Sequence, residues 1–217
     1  MKITRGVILG RVMPVISEIA CKMVVTPQFV WLHLPRTGGT STTELMRKAQ
    51  RSLPRSRCSE WVIDDDRLRD KHDNLLSREI RSGRVEWPDR VAMTFRPLEG
   101  WLLSNWKWAS KHGLHVPKER YLEGEFFSMR TGKWCPADWW LEYFEVGQVT
   151  DWIRMDRLEL DLNALLQSAD SALPHFALPH LNELGVTEPS SLRPVAYDVN
   201  PRWAALEAEL WPDLLGR

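Results

Sequence analysis

The chain has 217 residues with 43% hydrophobic and 27% charged side chains, 12 Gly and 14 Pro. That composition excludes collagen-like, coiled-coil and wholly disordered classes, and the length fits one domain with at most an appendage. Its 29 basic and 29 acidic residues cancel, which argues against the general nucleic-acid binding that a large positive field would support.

No apolar run approaches the roughly 20 residues of a membrane span. The longest early stretch, Gly6 to Ala20, is broken by Arg11, Pro14 and Glu18. Cys21, Cys58 and Cys135 are odd in number and lack C-x-x-C spacing or neighbouring histidines, so neither a disulfide framework nor a metal site is expected and a cytoplasmic setting is the default. The zero net charge hides an asymmetry. Residues 1–57 hold ten Lys or Arg against Glu18 and Glu44 alone, which suits a local anion site or, as the ordinary alternative, a set of solvated arginines.

In chain order, residues 1–22 form no clear element and are set apart as an N-terminal extension from an α/β domain over 23–217. Gln28 to Leu34 is apolar, aromatic and β-branched between Pro27 and Pro35, the pattern of a strand buried on both faces. A loop over Pro35–Ser41 leads into a helix over Thr42–Arg51, whose Leu45, Met46 and Ala49 fall at helical spacing. A second strand, Arg90–Phe95, ends in Arg96-Pro97. Leu98, Trp101, Leu102, Asn105, Trp106 and Ala109 then trace a helix that Lys111, His112 and Gly113 terminate. From 113 to 150 the reading is loops with a short helix near 136–145. Asp151–Met155 is a third strand, followed by a helix in which Asp156 and Glu159 form a capping box and Leu158, Leu162, Leu165, Leu166 and Ala169 line the buried side. Asn200 and Pro201 are the N-cap and N1 of a last helix with Trp203, Leu206 and Leu210. Strands alternating with helices predict a single P-loop-like α/β domain, its central parallel sheet flanked by helices.

The chemistry concentrates in Pro35-Arg-Thr-Gly-Gly-Thr-Ser41. Adjacent glycines let the backbone take positive φ and turn its N–H groups inward, and the following helix adds its first-turn amides and positive dipole end. Arg36 supplies a permanent cation able to fork two oxygens, and Thr37, Thr40 and Ser41 supply uncharged donors. This is not a Walker A loop, because no Lys follows the glycines and the spacing differs. A second anion site is expected at the next strand end, where Arg96 follows its strand. In an open α/β sheet, ligands sit beyond the carboxyl ends of strands, so two such places suit one ligand with two separated anionic groups.

These motifs resemble the sulfotransferases that use 3′-phosphoadenosine-5′-phosphosulfate (PAPS), most closely the branch acting on carbohydrates and related hydroxyl acceptors. That family carries a loop of the form P-[KR]-[TS]-G-[GT]-T-[ST], which residues 35–41 match throughout, and a later strand-end Arg with a Ser eight residues beyond. The likeness continues through Trp152 to Leu162 and covers roughly Phe29 to Leu166. It implies that Arg36, Thr37, Gly38, Gly39, Thr40 and Ser41 hold the phosphosulfate and that Arg96 and Ser104 hold the 3′-phosphate. Many relatives have Lys where this chain has Arg36. The resemblance also implies a base between the loop helix and the Arg96 strand, for which His72 is the candidate, with Asp64, Asp65 and Asp66 as rivals. His33 is read as a core histidine, and His112 and His115 as helix-end groups able to line an acceptor site. Trp134, Trp139 and Trp140 suit an acceptor ring or, equally, plain packing.

The expected activity is transfer of a sulfuryl group from PAPS, without a metal, to a hydroxyl of a saccharide or small metabolite. Neither nucleic acid nor a membrane span is expected as a partner, and nothing in the pattern fixes an oligomeric state. The alternatives are a P-loop-type small-molecule kinase and a non-catalytic nucleotide-binding protein of the same fold.

Overall fold

The computed structural model describes residues 23–63, 75, 87–179 and 192–212. The N-terminal extension, the carboxylates Asp64, Asp65 and Asp66, and His72 lie outside the described residues.

The strands β1 (Val24–Val25), β2 (Val30–Leu32), β3 (Val62–Ile63), β4 (Val91–Phe95) and β7 (Asp151–Arg154) form one five-stranded sheet in the order β3-β1-β2-β4-β7. β2 pairs parallel with β4, and β4 with β7, as the three predicted strands require. The expected central parallel sheet is present over β2, β4 and β7 but is part of a mixed sheet, because β1 runs antiparallel to both β2 and β3. The reason is the connection. Thr26 N–H donates to Phe29 O at 2.9 Å across a tight turn holding Pro27, and a link that short permits only an antiparallel return. The Thr26 hydroxyl tightens the turn further, accepting from Phe29 N–H at 2.9 Å.

Helices cover both faces. Alternate residues of β2 and β4 point to opposite sides, as the period of a strand demands. On one side Trp31, Ala92 and Ile153 meet Leu45, Met46 and Ala49 of α1 (Gly39–Ser52) and Leu158, Leu162, Leu165 and Leu166 of α6 (Leu158–Ala169). On the other, Val30, Leu32, Met93 and Phe95 meet Leu98, Trp101 and Leu102 of α3 (Leu98–Lys111) and Trp203 of α8 (Pro201–Leu210). Burial on two faces is why the strands read as apolar runs. No helix among the described residues is long and apolar enough to cross a membrane.

The stretch from 113 to 150 is more ordered than its Gly and Pro content suggests. After α4 (Lys118–Leu122), β5 (Glu125–Ser128) and β6 (Lys133–Pro136) form an antiparallel hairpin with Gly132 at φ 66° in the turn. The short helix expected next is α5 (Asp138–Tyr143).

Two caps differ from expectation. A 3₁₀ turn over Met155–Arg157 precedes α6, so Asp156 is not its N-cap. Its carboxylate accepts from Arg154 and from Trp211 Nε1 at 3.0 Å, while Glu159 accepts from Leu178 N–H at 2.8 Å instead of closing a box. Pro201 does occupy N1 of α8 behind Asn200. The cap, however, comes from afar. Asp138 accepts from the amides of Arg202 (2.9 Å) and Trp203 (2.8 Å), and Asn200 spends its side chain on Asp138 N–H, Gly124 O and Ala196 O.

Candidate functional site

β2 and β4 are parallel neighbours, so the loops leaving their carboxyl ends lie side by side. The first carries Arg36 and the second Arg96. In the first loop, Arg36 (φ 66°) and Gly38 (φ 76°) adopt left-handed backbone, a conformation that costs a non-glycine residue on the order of 1–3 kcal/mol. The sequence suggests that the paired glycines share this task, yet Gly39 does not take it. Gly39 opens α1, and a Cβ there would lie 1.9 Å from Nε2 of the buried His33. The second glycine therefore makes room for an imidazole that packs at a tilt against Trp31 (centroids 5.5 Å apart, planes 43° apart) beneath the loop.

The loop's donors divide by role. Thr37 is fully buried and donates its hydroxyl to Leu34 O at 2.6 Å, closing the turn. Thr40 is half-exposed at the start of α1, and Ser41 is buried beside it. The first helical bond is Thr42 N–H to Gly38 O at 3.0 Å. The amides ahead of it face the helix end with no side chain from the N-cap Gly38 and no acidic residue in the first turn. Such an end attracts an anion through its N–H groups and dipole.

The second loop delivers the other cation. Arg96 lies against α3, where a Cβ on Gly100 would approach its Nε to 2.8 Å. Burial lowers its pKa from the ordinary guanidinium value. No carboxylate among the described residues pairs with it. A desolvated cation without a counter-ion is costly, and an incoming anion would offset that cost.

One helix face joins the two loops. Gly100 and Ser104 are one turn apart on α3, and Arg36 Nε donates to Ser104 Oγ at 3.4 Å with its guanidinium 5.9 Å from the Trp108 ring centre. Arg96 over Gly100 and Arg36 over Ser104 thus stand about 6 Å apart along the helix axis. The loops are also tied from below. Trp101 Nε1 donates to Pro35 O at 2.7 Å and Trp203 Nε1 to Arg96 O at 3.1 Å, the two indoles touching with centroids 4.8 Å apart.

Of the residues singled out from sequence, Arg36 and Ser104 are in direct contact, and Arg96 reaches the same helix one turn away. His72 and its carboxylate rivals lie outside the described residues. His112 donates Nδ1–H to Trp108 O at 2.8 Å and packs at a tilt against that indole, while His115 is exposed. Trp134, Trp139 and Trp140 pack among Tyr121, Phe126, Phe127 and Tyr143. Sequence reading missed Gly100, Trp101, Trp108 and Trp203. A signal existed for Gly100, which stands four residues after Arg96 and four before Ser104, the spacing of one helical stripe. No group of three or more metal-ligating side chains occurs among the described residues. No family model, no curated protein and no solved structure matches the chain.

Proposed function

We propose that the chain is a PAPS-dependent sulfotransferase built on a single P-loop-like domain, transferring a sulfuryl group to a hydroxyl of a saccharide or small metabolite. The observation that carries the reading is the half-buried Arg96, with which no carboxylate among the described residues pairs, standing one helical turn from Arg36, each on a loop at the carboxyl end of adjacent parallel strands. The match of Pro35–Ser41 and of Arg96 with Ser104 to the family's two anion motifs supports the same reading.

In this reading the α1 amides, Arg36, Thr40 and Ser41 take the 5′-phosphosulfate, and Arg96 with Ser104 takes the 3′-phosphate. Thr37, Gly38 and Gly39 shape the loop. The acceptor oxygen forms a bond to sulfur while the bond between sulfur and the 5′-phosphate oxygen breaks, its electron pair staying on the phosphate. The acceptor's proton leaves to a base, for which His72 is the candidate. Arg36 meets the charge that grows on the departing phosphate, the kind of preorganised stabilisation on which such transfers depend. A guanidinium keeps its proton at any physiological pH, so Arg36 is an electrostatic partner and not a proton donor.

The test is ligand-induced stabilisation. Adenosine 3′,5′-bisphosphate should raise the thermal midpoint without Mg²⁺, and Arg96→Ala and Arg36→Ala should each abolish most of the rise. A larger rise with ATP and Mg²⁺ would transfer the reading to a kinase. Bisphosphate binding without release of bisphosphate from PAPS across a hydroxyl library would leave a nucleotide-binding protein. A His72→Ala variant that keeps the full rate at saturating acceptor would remove that residue as the base.

A further inference from the structure

The basic excess of residues 1–57 is not used up by the candidate site. Of its ten cations, five (Arg47, Lys48, Arg51, Arg55 and Arg57) fall within residues 47–57, with no acidic residue among them. They stand at the far end of α1. The helix runs 14 residues from the glycine loop, which puts its last turn about 20 Å from that loop along the axis. Leu45, Met46 and Ala49 bury the sheet-facing stripe, so Arg47, Lys48 and Arg51 occupy the outer side. Beyond Leu53 the chain forms the short helix α2 (Arg55–Cys58). Gln50 holds that turn against the end of α1, donating from Nε2 to Cys58 O at 3.1 Å and to Trp61 O at 2.8 Å.

Two of the five cations are neutralised, Arg47 by Glu44 and Arg57 by Asp170 at 2.7 Å. Among the described residues no carboxylate pairs with Lys48, Arg51 or Arg55. The negative end of α1 accounts for Arg51, which stands in the last turn, but that field fades within a turn and does not account for Lys48 before it or Arg55 after it. Shape and chemistry select what does. Of residues 51–57 all but Leu53 are exposed, so the cations stand on a protruding corner and not in a groove that would seat a peptide. No aromatic ring is exposed between residues 47 and 63, where Trp61 is buried, so the stacking platform of a single-stranded nucleic-acid site is missing. Exposed Ser52, Ser56 and Ser59 set hydroxyls among the cations, and Val62 of the edge strand β3 adds an apolar side chain 45% exposed. Cations, hydroxyls and a little apolar surface on a convex corner match the anionic headgroup layer of a bilayer.

We propose that this corner is a membrane-surface contact, on which Lys48, Arg51 and Arg55 seat the protein against an anionic bilayer. The candidate site, at the opposite end of α1, is then held away from the lipid. The proposal stands independently of the sulfotransferase reading.

The test is co-sedimentation of the full chain with vesicles of phosphatidylcholine alone or of equimolar phosphatidylcholine and phosphatidylserine. Binding should be confined to the anionic vesicles and should weaken as salt is raised. Lys48→Gln, Arg51→Gln and Arg55→Gln should each lower partitioning about fivefold, and the triple variant should lower it on the order of a hundredfold. Each single variant should keep its thermal midpoint within about 2 °C of the wild type, as exposed substitutions do. Lys111→Gln and Lys133→Gln, which remove exposed lysines elsewhere, should leave partitioning within about twofold. Equal binding to both kinds of vesicle, binding to neither, partitioning that survives the triple substitution, or an equal loss from Lys111→Gln or Lys133→Gln overturns the proposal. Tighter binding to polyglutamate or to duplex DNA than to the vesicles, compared at equal anionic charge, would give the corner to that polyanion and overturns it too.

Discussion

Arg96 keeps its charge in a setting that lowers its pKa by desolvation, and no carboxylate among the described residues pairs with it. We expect Arg96→Met, measured without ligand, to leave the thermal midpoint unchanged or to raise it by an amount worth about 1 kcal/mol, while bisphosphate binding is lost. A large fall in the midpoint would mean that the guanidinium has a structural partner. Gly39 makes the opposite case, since an added methyl meets the His33 ring at 1.9 Å. Gly39→Ala should cost about 1–3 kcal/mol in denaturant unfolding, and the double variant with His33→Ala should recover part of it through the coupling expected of touching residues. The loop and the Arg96–Ser104 spacing were legible because each depends on a few consecutive residues. Which glycine turns and which yields space was not, because the answer sits in a side chain from the preceding strand. The contact of Arg36 with Ser104 was likewise hidden, since it follows from how α3 packs across the strand ends.

At the level of elements, helices with several apolar residues at 3.6 spacing were read nearly to their ends, whereas β1 and β3, two residues each, leave no period to detect. The β5-β6 hairpin was obscured because Gly124, Gly132 and Pro136, which shape and end it, read equally well as loop. Capping was the least legible feature, because side chains far off in sequence took over the helix starts. Asp138 does so for α8, and the 8%-exposed Glu207 of α8 does so for α3 by accepting from Leu98 N–H at 2.8 Å. Burial is the main cause that raises the pKa of Glu207, with Glu99 adding to it, and burial with these two carboxylates pushes Tyr197 up to about 12. A carboxyl that holds its proton more tightly when folded makes stability fall as pH rises from the unfolded value near 4.3 through the raised folded value. Glu207→Gln keeps an oxygen to accept from Leu98 and removes the titration. Its urea midpoint should therefore lack that decline, and a midpoint that still tracks the wild-type pH curve would assign the slope to other groups.

For the whole molecule, the alternation of strand and helix fixed the parallel trio and the covering layers, while the sheet's mixed character depended on a four-residue turn at Thr26. The two indoles beneath the site tie these levels together. Trp203→Phe retains the ring packing and deletes only the N–H that holds Arg96 O, so it should cost about 1 kcal/mol of stability yet weaken bisphosphate affinity measurably by calorimetry. Unchanged affinity would show that the Arg96 loop holds its place without the indole. Because one loop carbonyl hangs from Trp101 and the other from Trp203, and those rings press on each other in the core, neither loop can shift without dragging the other. The spacing of the two loop backbones from which the arginines extend is thereby set by the fold and not by the ligand. If the proposed function holds, selection among nucleotides is a matter of reach: a molecule whose anions are set too near or too far forfeits one grip, however strongly it is charged.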